Sequence, residues 1–204
     1  MNNENSPIQL RYLKFCPTCQ IIKPLRSKHD SISNKCIAKF DHYCGWGYSS
    51  VGQENHRQFV LFLSFFLILL CIFNIRMLSH FLMVYQPTKS NNYIYFKIFL
   101  NLYEQNPSLL LWYIIWTILN IFVLNQLVHQ AKGIFNNLTI NEFINKNKYQ
   151  HFWNHHLFIN PFNLGYTNNF KQFWGISNHI NWYDTFTTQH LSKQDTDQDN
   201  VIYI

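Results

Sequence analysis

The sequence predicts an α-helical membrane protein: an N-terminal cysteine-rich module, two transmembrane helices, then a cytosolic C-terminal region. Three observations carry this expectation. Two long apolar runs contain no charged side chain. Four of the five cysteines fall in the first quarter of the 204 residues. The chain is 18% aromatic but only 13% charged, a balance suited to surface hidden in lipid.

Residues 1–58 are polar and show no sustained hydrophobic period. They hold too few apolar side chains to build a core, so a module held together by metal is expected. Cys16, Cys19, Cys36 and Cys44 cluster there, while Cys71 sits in an apolar run. A secreted disulfide scaffold would spread its cysteines, so the cluster reads as metal or catalytic chemistry in a reducing compartment. No apolar stretch precedes it, and a secretory leader is not expected.

The composition then changes abruptly. Val60 to Ile75 carries no charge, and the apolar pattern runs on past Arg76 and His80 to Tyr85. A helix of about 25 residues, at 1.5 Å each, exceeds the ~30 Å hydrocarbon core and lets Arg76 snorkel near one end. This predicts a transmembrane helix over 59–85. Leu109 to Val128 is again uncharged and predicts a second over 108–130. Pro107 suits its start, and its Trp and Tyr residues suit an interfacial belt.

Between them, the loop 86–107 sets Lys89 and Lys97 against Glu104. Arg11, Lys14, Lys23, Arg26, Lys28, Lys35, Lys39 and Arg57 precede the first span; Lys132, Lys146, Lys148 and Lys171 follow the second. Positive flanks stay in the cytosol, so both termini, including residues 131–204, are expected there and the loop on the opposite side. The end from Ser192 reads as disordered. A formal charge of +6 fits a membrane surface, a nucleic acid or a phosphorylated ligand equally. The two spans and the lack of a second finger argue against a nucleic-acid-binding knuckle.

Cys16-Pro-Thr-Cys19 places two thiols on one tight turn, as knuckle-type zinc sites do. His29 follows Cys19 by ten residues, and Cys36 follows His29 by seven. Three cysteines and a histidine give a closed tetrahedral structural zinc site with no position left for water. The basic residues between Lys23 and Lys35 help offset three thiolates.

A second cluster is Asp41-His42-Tyr43-Cys44. Thiolate is the reactive form of cysteine, and an unperturbed thiol near pKa ~8.5 is mostly protonated at neutral pH. An adjacent imidazole can take its proton, and a carboxylate can orient that imidazole. The tetrapeptide alone also suits a chance surface segment, or His42 and Cys44 as further metal ligands.

The surrounding register resembles the cysteine-rich domain of DHHC-type protein S-acyltransferases. The matching positions are Cys16, Cys19, Lys23-Pro24, Arg26, His29, Cys36, Asp41-His42-Tyr43-Cys44, Trp46, Val51-Gly52, Asn55 and Phe59. Thr139-Ile140-Asn141-Glu142 is similar to the family's TTxE element, and Asn160-Pro161-Phe162, Gly165 and Asn169 to its C-terminal motif. The resemblance implies a palmitoyltransferase: Cys44 as nucleophile, His42 as base with Asp41 behind it, and Cys16, Cys19, His29 and Cys36 holding one structural zinc. It further implies a long-chain acyl-CoA as co-substrate, membrane lipid and membrane-proximal proteins as partners, and an endomembrane (ER or Golgi) location. His56 and Arg57 are candidate acyl-CoA contacts, with plain interfacial residues at a helix start as the blander reading.

The sequence also departs from the family. The positions matching a second zinc site hold Asp30, Ser33, Tyr43 and Ser50, which can form hydrogen bonds but not a thiolate cage. Gly45 stands in place of a proline, and Ile140 in place of the second Thr of TTxE. The family has two further spans ahead of this domain. The expectations that follow are a shortened chain, assembly with partner transmembrane helices, or a rival function as a non-catalytic membrane scaffold or assembly subunit.

Overall fold

The computed structural model describes residues 14–84, 106–154 and 156–176, with residues 93, 96, 99, 100, 103 and 104 between. The loop expected over 86–107 lies largely outside the described residues, and the end from Ser192, expected from sequence to be disordered, lies wholly outside them.

The cysteine-rich module is built from hairpins of very short strands. β1 (Lys14–Cys16) pairs antiparallel with β2 (Ile21–Lys23), β3 (Lys28–Asp30) with β4 (Lys35–Ile37), and β5 (His42–Cys44) with β6 (Ser49–Val51). Gln20, Asn34 and Tyr48 end the three turns in the left-handed region, at φ 54°, 52° and 45°. That conformation returns the chain in antiparallel register after a turn of this length. The hairpins repeat along the chain, with strands starting at Lys14, Lys28 and His42. Cys16, Asp30 and Cys44 therefore occupy the same place, the last residue of the first strand, in successive hairpins. Little apolar surface holds them: Leu25 and Ala38 form a small buried cluster with Phe162 against it. Three-residue strands cannot persist on so thin a core, so cross-links between hairpins must supply the difference.

Asn55 turns the chain out of β6. Its Oδ1 accepts from Gly52 N at 2.9 Å and its Nδ2 donates to Ser50 O at 3.0 Å. Helix α1 (His56–Val84, 29 residues) follows, and α2 (Pro107–Asn136, 30 residues) is the other long helix among the described residues. At 1.5 Å per residue each reaches about 43–45 Å. Both are long and apolar enough to cross a membrane.

The described chain divides into two compact units. One comprises Gln58–His129, the other Met1–Arg57 with Gln130–Ile204. Within the first, Leu63, Leu70 and Val123 form a buried cluster, flanked by Phe66, Trp116 and Leu119. A polar contact joins the same two helices: Thr117 Oγ1 lies 2.9 Å from Asn74 Oδ1.

In the other unit, α2 ends with Asn137 at φ 50° and Leu138 N donating to Gly133 O at 2.8 Å. This is the left-handed helix stop, with asparagine in the place glycine usually takes. Thr139 immediately caps α3 (Ile140–Ile144). Its hydroxyl accepts from Glu142 N at 3.1 Å while Glu142 Oε2 accepts from Thr139 N at 2.8 Å. The Thr-x-x-Glu spacing read from the sequence is thus a reciprocal capping box. Beyond two short 3₁₀ turns, β7 (Trp153–Asn154) pairs with β8 (Leu157–Phe158), and α4 (Tyr166–Trp174) ends at Gly175.

Candidate active site

The first metal set comes together across two hairpins. Cys16 ends β1 and Cys19 sits on the following turn, while His29 and Cys36 face each other across β3 and β4. Their ligand atoms all lie within 4.8 Å of one another. His29 Nδ1 is 3.3 Å from Cys19 Sγ and 3.9 Å from Cys36 Sγ. Tetrahedral zinc, with Zn–S of ~2.3 Å and Zn–N of ~2.0 Å, sets its ligand atoms about 3.5–3.8 Å apart. The donor set fits that ion in spacing and in chemistry. Burial, and then the neighbouring Cys16 and Cys19 sulfurs, push the Cys36 thiol up to about 12. A divalent cation among them would supply the missing counter-charge. The cluster could hold zinc through Cys16, Cys19, His29 and Cys36, tying β1–β2 to β3–β4.

The next pair of hairpins is tied by hydrogen bonds. Asp30 Oδ2 accepts from Ser33 N at 2.9 Å and from Ser50 Oγ at 2.8 Å, and the Ser50 and Ser33 hydroxyls lie 3.1 Å apart. Tyr43 stands opposite Ser50 in the β5–β6 register. Asp30, Ser33 and Ser50 therefore join β3–β4 to β6 through hydrogen bonds.

Asp41, His42 and Cys44 are ordered by this frame. Residues two apart on a strand point to the same face, so His42 and Cys44 share one face of β5 and Tyr43 takes the other. Asp41 precedes the strand and is 1% exposed. Its Oδ2 accepts from His42 Nδ1 at 2.8 Å and from Gln130 Nε2 at 2.9 Å; its Oδ1 accepts from Ile140 N at 2.7 Å. Burial opposes the charge of Asp41. The bond from His42, the nearby His56 imidazole and the bonds from Gln130 and Ile140 outweigh it, so the carboxyl sits below its ordinary value. An ionised carboxylate accepts from Nδ1–H and leaves Nε2 of His42 as the basic nitrogen.

The C-terminal region supplies one of these three bonds and a main-chain bond besides. Ile140 reaches Asp41 through its backbone N–H, and Asn141 N donates to the Asp41 carbonyl at 3.1 Å. The exchange of a threonine for Ile140 leaves such contacts intact, because they use the main chain. The region is clamped by Arg26, whose Nε and Nη2 grip the two carboxylate oxygens of Glu142 at 2.7 and 2.6 Å. Asn169, 1% exposed, donates to Asn163 Oδ1 at 2.7 Å and to Phe135 O at 2.6 Å, joining the end of α2 to the start of α4.

His56 and Arg57 are both engaged with protein. His56 is 6% exposed, with Nε2 at 2.6 Å from Gln130 Oε1 and its ring edge-on to Phe173. Arg57 Nε donates to the carbonyl of Phe173 at the end of α4. Gln130 was not singled out from sequence, where the only sign is a polar residue near the end of an apolar run.

An imidazole–carboxylate pair with a cysteine on the same strand face defines a candidate cysteine-nucleophile site, in a small module that also carries a cysteine–histidine cluster able to hold zinc. The chain belongs to the DHHC palmitoyltransferase family, whose model matches residues 9–147. It is 54% identical over 57 residues to palmitoyltransferase ZDHHC17 of Homo sapiens, covering 28% of this chain and 9% of that protein. It is 53% identical over 53 residues to palmitoyltransferase AKR1 of Mortierella alpina, covering 26% and 10%. Against palmitoyltransferase SWF1 of Yarrowia lipolytica it is 58% identical over 48 residues, covering 24% and 13%. The chain thus matches only about a tenth of the length of these relatives.

Proposed function

We propose that the protein is a protein S-acyltransferase that moves a long-chain acyl group, palmitoyl above all, from acyl-CoA through Cys44 to cysteines of membrane-associated proteins. One observation carries the reading most: Asp41 is buried against His42 Nδ1, and His42 shares a strand face with Cys44. Family membership supports it.

In this reading His42 Nε2 takes the Cys44 proton and Asp41 balances the resulting imidazolium. The Cys44 sulfur attacks the acyl-CoA carbonyl, a new S–C bond forms, and the bond to the CoA sulfur breaks. The departing CoA thiolate recovers the proton from His42. An acceptor cysteine, deprotonated in turn, attacks the acyl-Cys44 thioester, takes the acyl group and restores the Cys44 thiol. Arg57, half-buried, remains the candidate contact for the CoA phosphates. His56, the other candidate contact, is buried and bonded to Gln130.

The domain reading belongs to the same proposal. Residues 1–58 form the catalytic module, held by one structural zinc. Segments 59–85 and 108–130 cross an endomembrane of the ER or Golgi, 86–107 lies on the non-cytosolic side, and 131–204 and both termini are cytosolic. Partner transmembrane helices would help enclose the acyl chain, whose burial contributes about 0.8 kcal/mol per CH₂.

The test is autoacylation. The membrane-embedded chain is incubated with a labelled long-chain acyl-CoA beside a Cys44→Ala variant. Hydroxylamine-sensitive label on the first and not the second is the expected result. Equal labelling of both would move the chemistry to another thiol, and labelling of neither would remove the transferase reading.

A further inference from the structure

Three side chains gather at one buried carboxylate, and only one of them is needed for the proposed chemistry. His42 Nδ1 and Gln130 Nε2 both lie on Asp41 Oδ2, at 2.8 and 2.9 Å. The carbonyl oxygen of the same glutamine lies 2.6 Å from His56 Nε2. His56 Nε2 is itself 3.9 Å from Asp41 Oδ2, near but outside hydrogen-bond reach.

The orientation of the Gln130 amide is fixed by chemistry. An ionised carboxylate only accepts, so the NH₂ end must face Asp41 and the carbonyl must face His56. His56 must then carry its proton on Nε2 and donate it to Gln130. The glutamine therefore stands between two groups that would otherwise bond directly. His56 is buried, held edge-on to Phe173 at a centroid distance of 5.1 Å, and its backbone N–H is bonded to Gly52 O at 2.9 Å. Its side chain is buried, and the Asp41 carboxylate, 3.9 Å away, offers an acceptor if the amide is removed.

We propose that Gln130 is a positioning residue that insulates Asp41 from His56, reserving the Asp41 carboxylate for His42. The proposal rests on the Asp41–His42–Cys44 reading above and extends it to a residue on a different element, 89 positions along the chain from Asp41. Without the amide, His56 Nε2–H takes the place on Asp41 Oδ2 that Gln130 held and, closing a gap of 3.9 Å, draws the carboxylate away from His42 Nδ1–H. His42 then loses the orientation that directs Nε2 to Cys44. In a further variant that also lacks the His56 imidazole, the competitor is gone, and His42 recovers the carboxylate even though Gln130 is missing. A residue that merely filled space would show no such recovery.

The experiment compares the full chain in lipid nanodiscs, wild type against Gln130→Met and Gln130→Met/His56→Phe. Two readouts are taken on each. The first is the downfield imidazole N–H proton resonance of the His42–Asp41 bond in ¹⁵N-histidine-labelled protein, assigned by its loss in His42→Asn. The second is the initial rate of Cys44 autoacylation against acyl-CoA concentration. The expected result is a resonance shifted or lost in Gln130→Met and returned in the double variant. In parallel, the maximal rate falls about tenfold in the single variant, at unchanged half-saturating acyl-CoA, and largely recovers in the double. Gln130→Leu repeats the comparison with a smaller side chain where Met overfills the site. A single variant indistinguishable from wild type, or a double variant as impaired as the single, overturns the insulating role. A wild type that shows the expected resonance changes across the variants but takes up no acyl label would sink the transferase reading and leave the insulation standing.

Discussion

Arg26 and Glu142, 116 positions apart, form a two-pronged ion pair in which neither side chain is more than 2% exposed. The same guanidinium donates to Asn137 Oδ1 at 3.1 Å and to Asn137 O at 2.9 Å, and lies 4.2 Å above the ring of Phe162. Arg26 adopts this position with φ 68°, a conformation that disfavours a side chain and persists only where surrounding contacts hold it. One residue of the second hairpin's approach thus grips the end of α2, the cap of α3 and the segment before α4.

Removing one partner should cost more than the pair contributes. Glu142→Ala leaves a guanidinium buried without its counter-ion and also breaks the capping box with Thr139. A loss of about 3–5 kcal/mol is expected. Thermal unfolding of Glu142→Ala and Arg26→Ala would show it, and Arg26→Lys should rescue little, because an ammonium cannot make both prongs. A melting temperature unchanged in Glu142→Ala would refute the clamp.

The hydrogen-bonded ties and the zinc-type cluster should fail differently. Asp30→Ala strips two bonds from the Asp30–Ser33–Ser50 group and is expected to cost about 1–3 kcal/mol. Zinc content should stay near one per chain. Cys36→Ser should abolish zinc retention and unfold the module, since structural zinc contributes up to about 10–16 kcal/mol in small domains. Elemental analysis alongside circular dichroism separates these results; two zinc ions per chain would show that Asp30, Ser33 and Ser50 do not replace a metal.

Asp41 should make the fold acid-sensitive. Its folded-state carboxyl lies below the ordinary value of 3.8. The unfolded chain therefore binds its proton first as pH falls. The stabilisation is fully present above the ordinary carboxylate range and is lost as pH drops from about 4 through the folded value. Comparing unfolding of wild type with Asp41→Asn at pH 7 and then stepwise below 4 isolates this group from acid release of zinc, which both share. The gap between the two should narrow with acid; a constant gap would contradict the assignment.

Two glycines predict opposite outcomes. A Cβ on Gly52 would stand 2.5 Å from Ile37 Cγ2 and 2.8 Å from Ala38 O, so Gly52→Ala must push the β4 end away from the start of α1. A cost of about 1–3 kcal/mol follows. A Cβ on Gly45, one residue past Cys44, meets nothing within 4 Å, and Gly45→Ala should leave the melting temperature unchanged or slightly raised.

The sequence by itself determined what local chemistry and periodicity can encode. Two uncharged runs became helices of 29 and 30 residues, the Cys16–Cys19–His29–Cys36 spacing became a cluster within 4.8 Å, and Thr139 to Glu142 became a cap. Each depends on residues close together along the chain, where spacing fixes geometry. The family register also grouped Asp30, Ser33, Tyr43 and Ser50 as standing where ligands of one ion would converge, and three of them, Asp30, Ser33 and Ser50, share hydrogen bonds.

Only the tertiary structure decided what Asp41 touches. Its partners Gln130 and Ile140 lie 89 and 99 positions away, and Ile140 contributes a backbone N–H that no side-chain pattern could reveal. His56 and Arg57 read from sequence either as acyl-CoA contacts or as plain interfacial residues at a helix start. Folding brings Gln130 to His56 and the carbonyl of Phe173 to Arg57 Nε, partners that the sequence does not show. A buried carboxylate must be satisfied from wherever the chain returns, and which donor arrives is set by how long helices and capped turns bring distant segments back, not by the residues beside it.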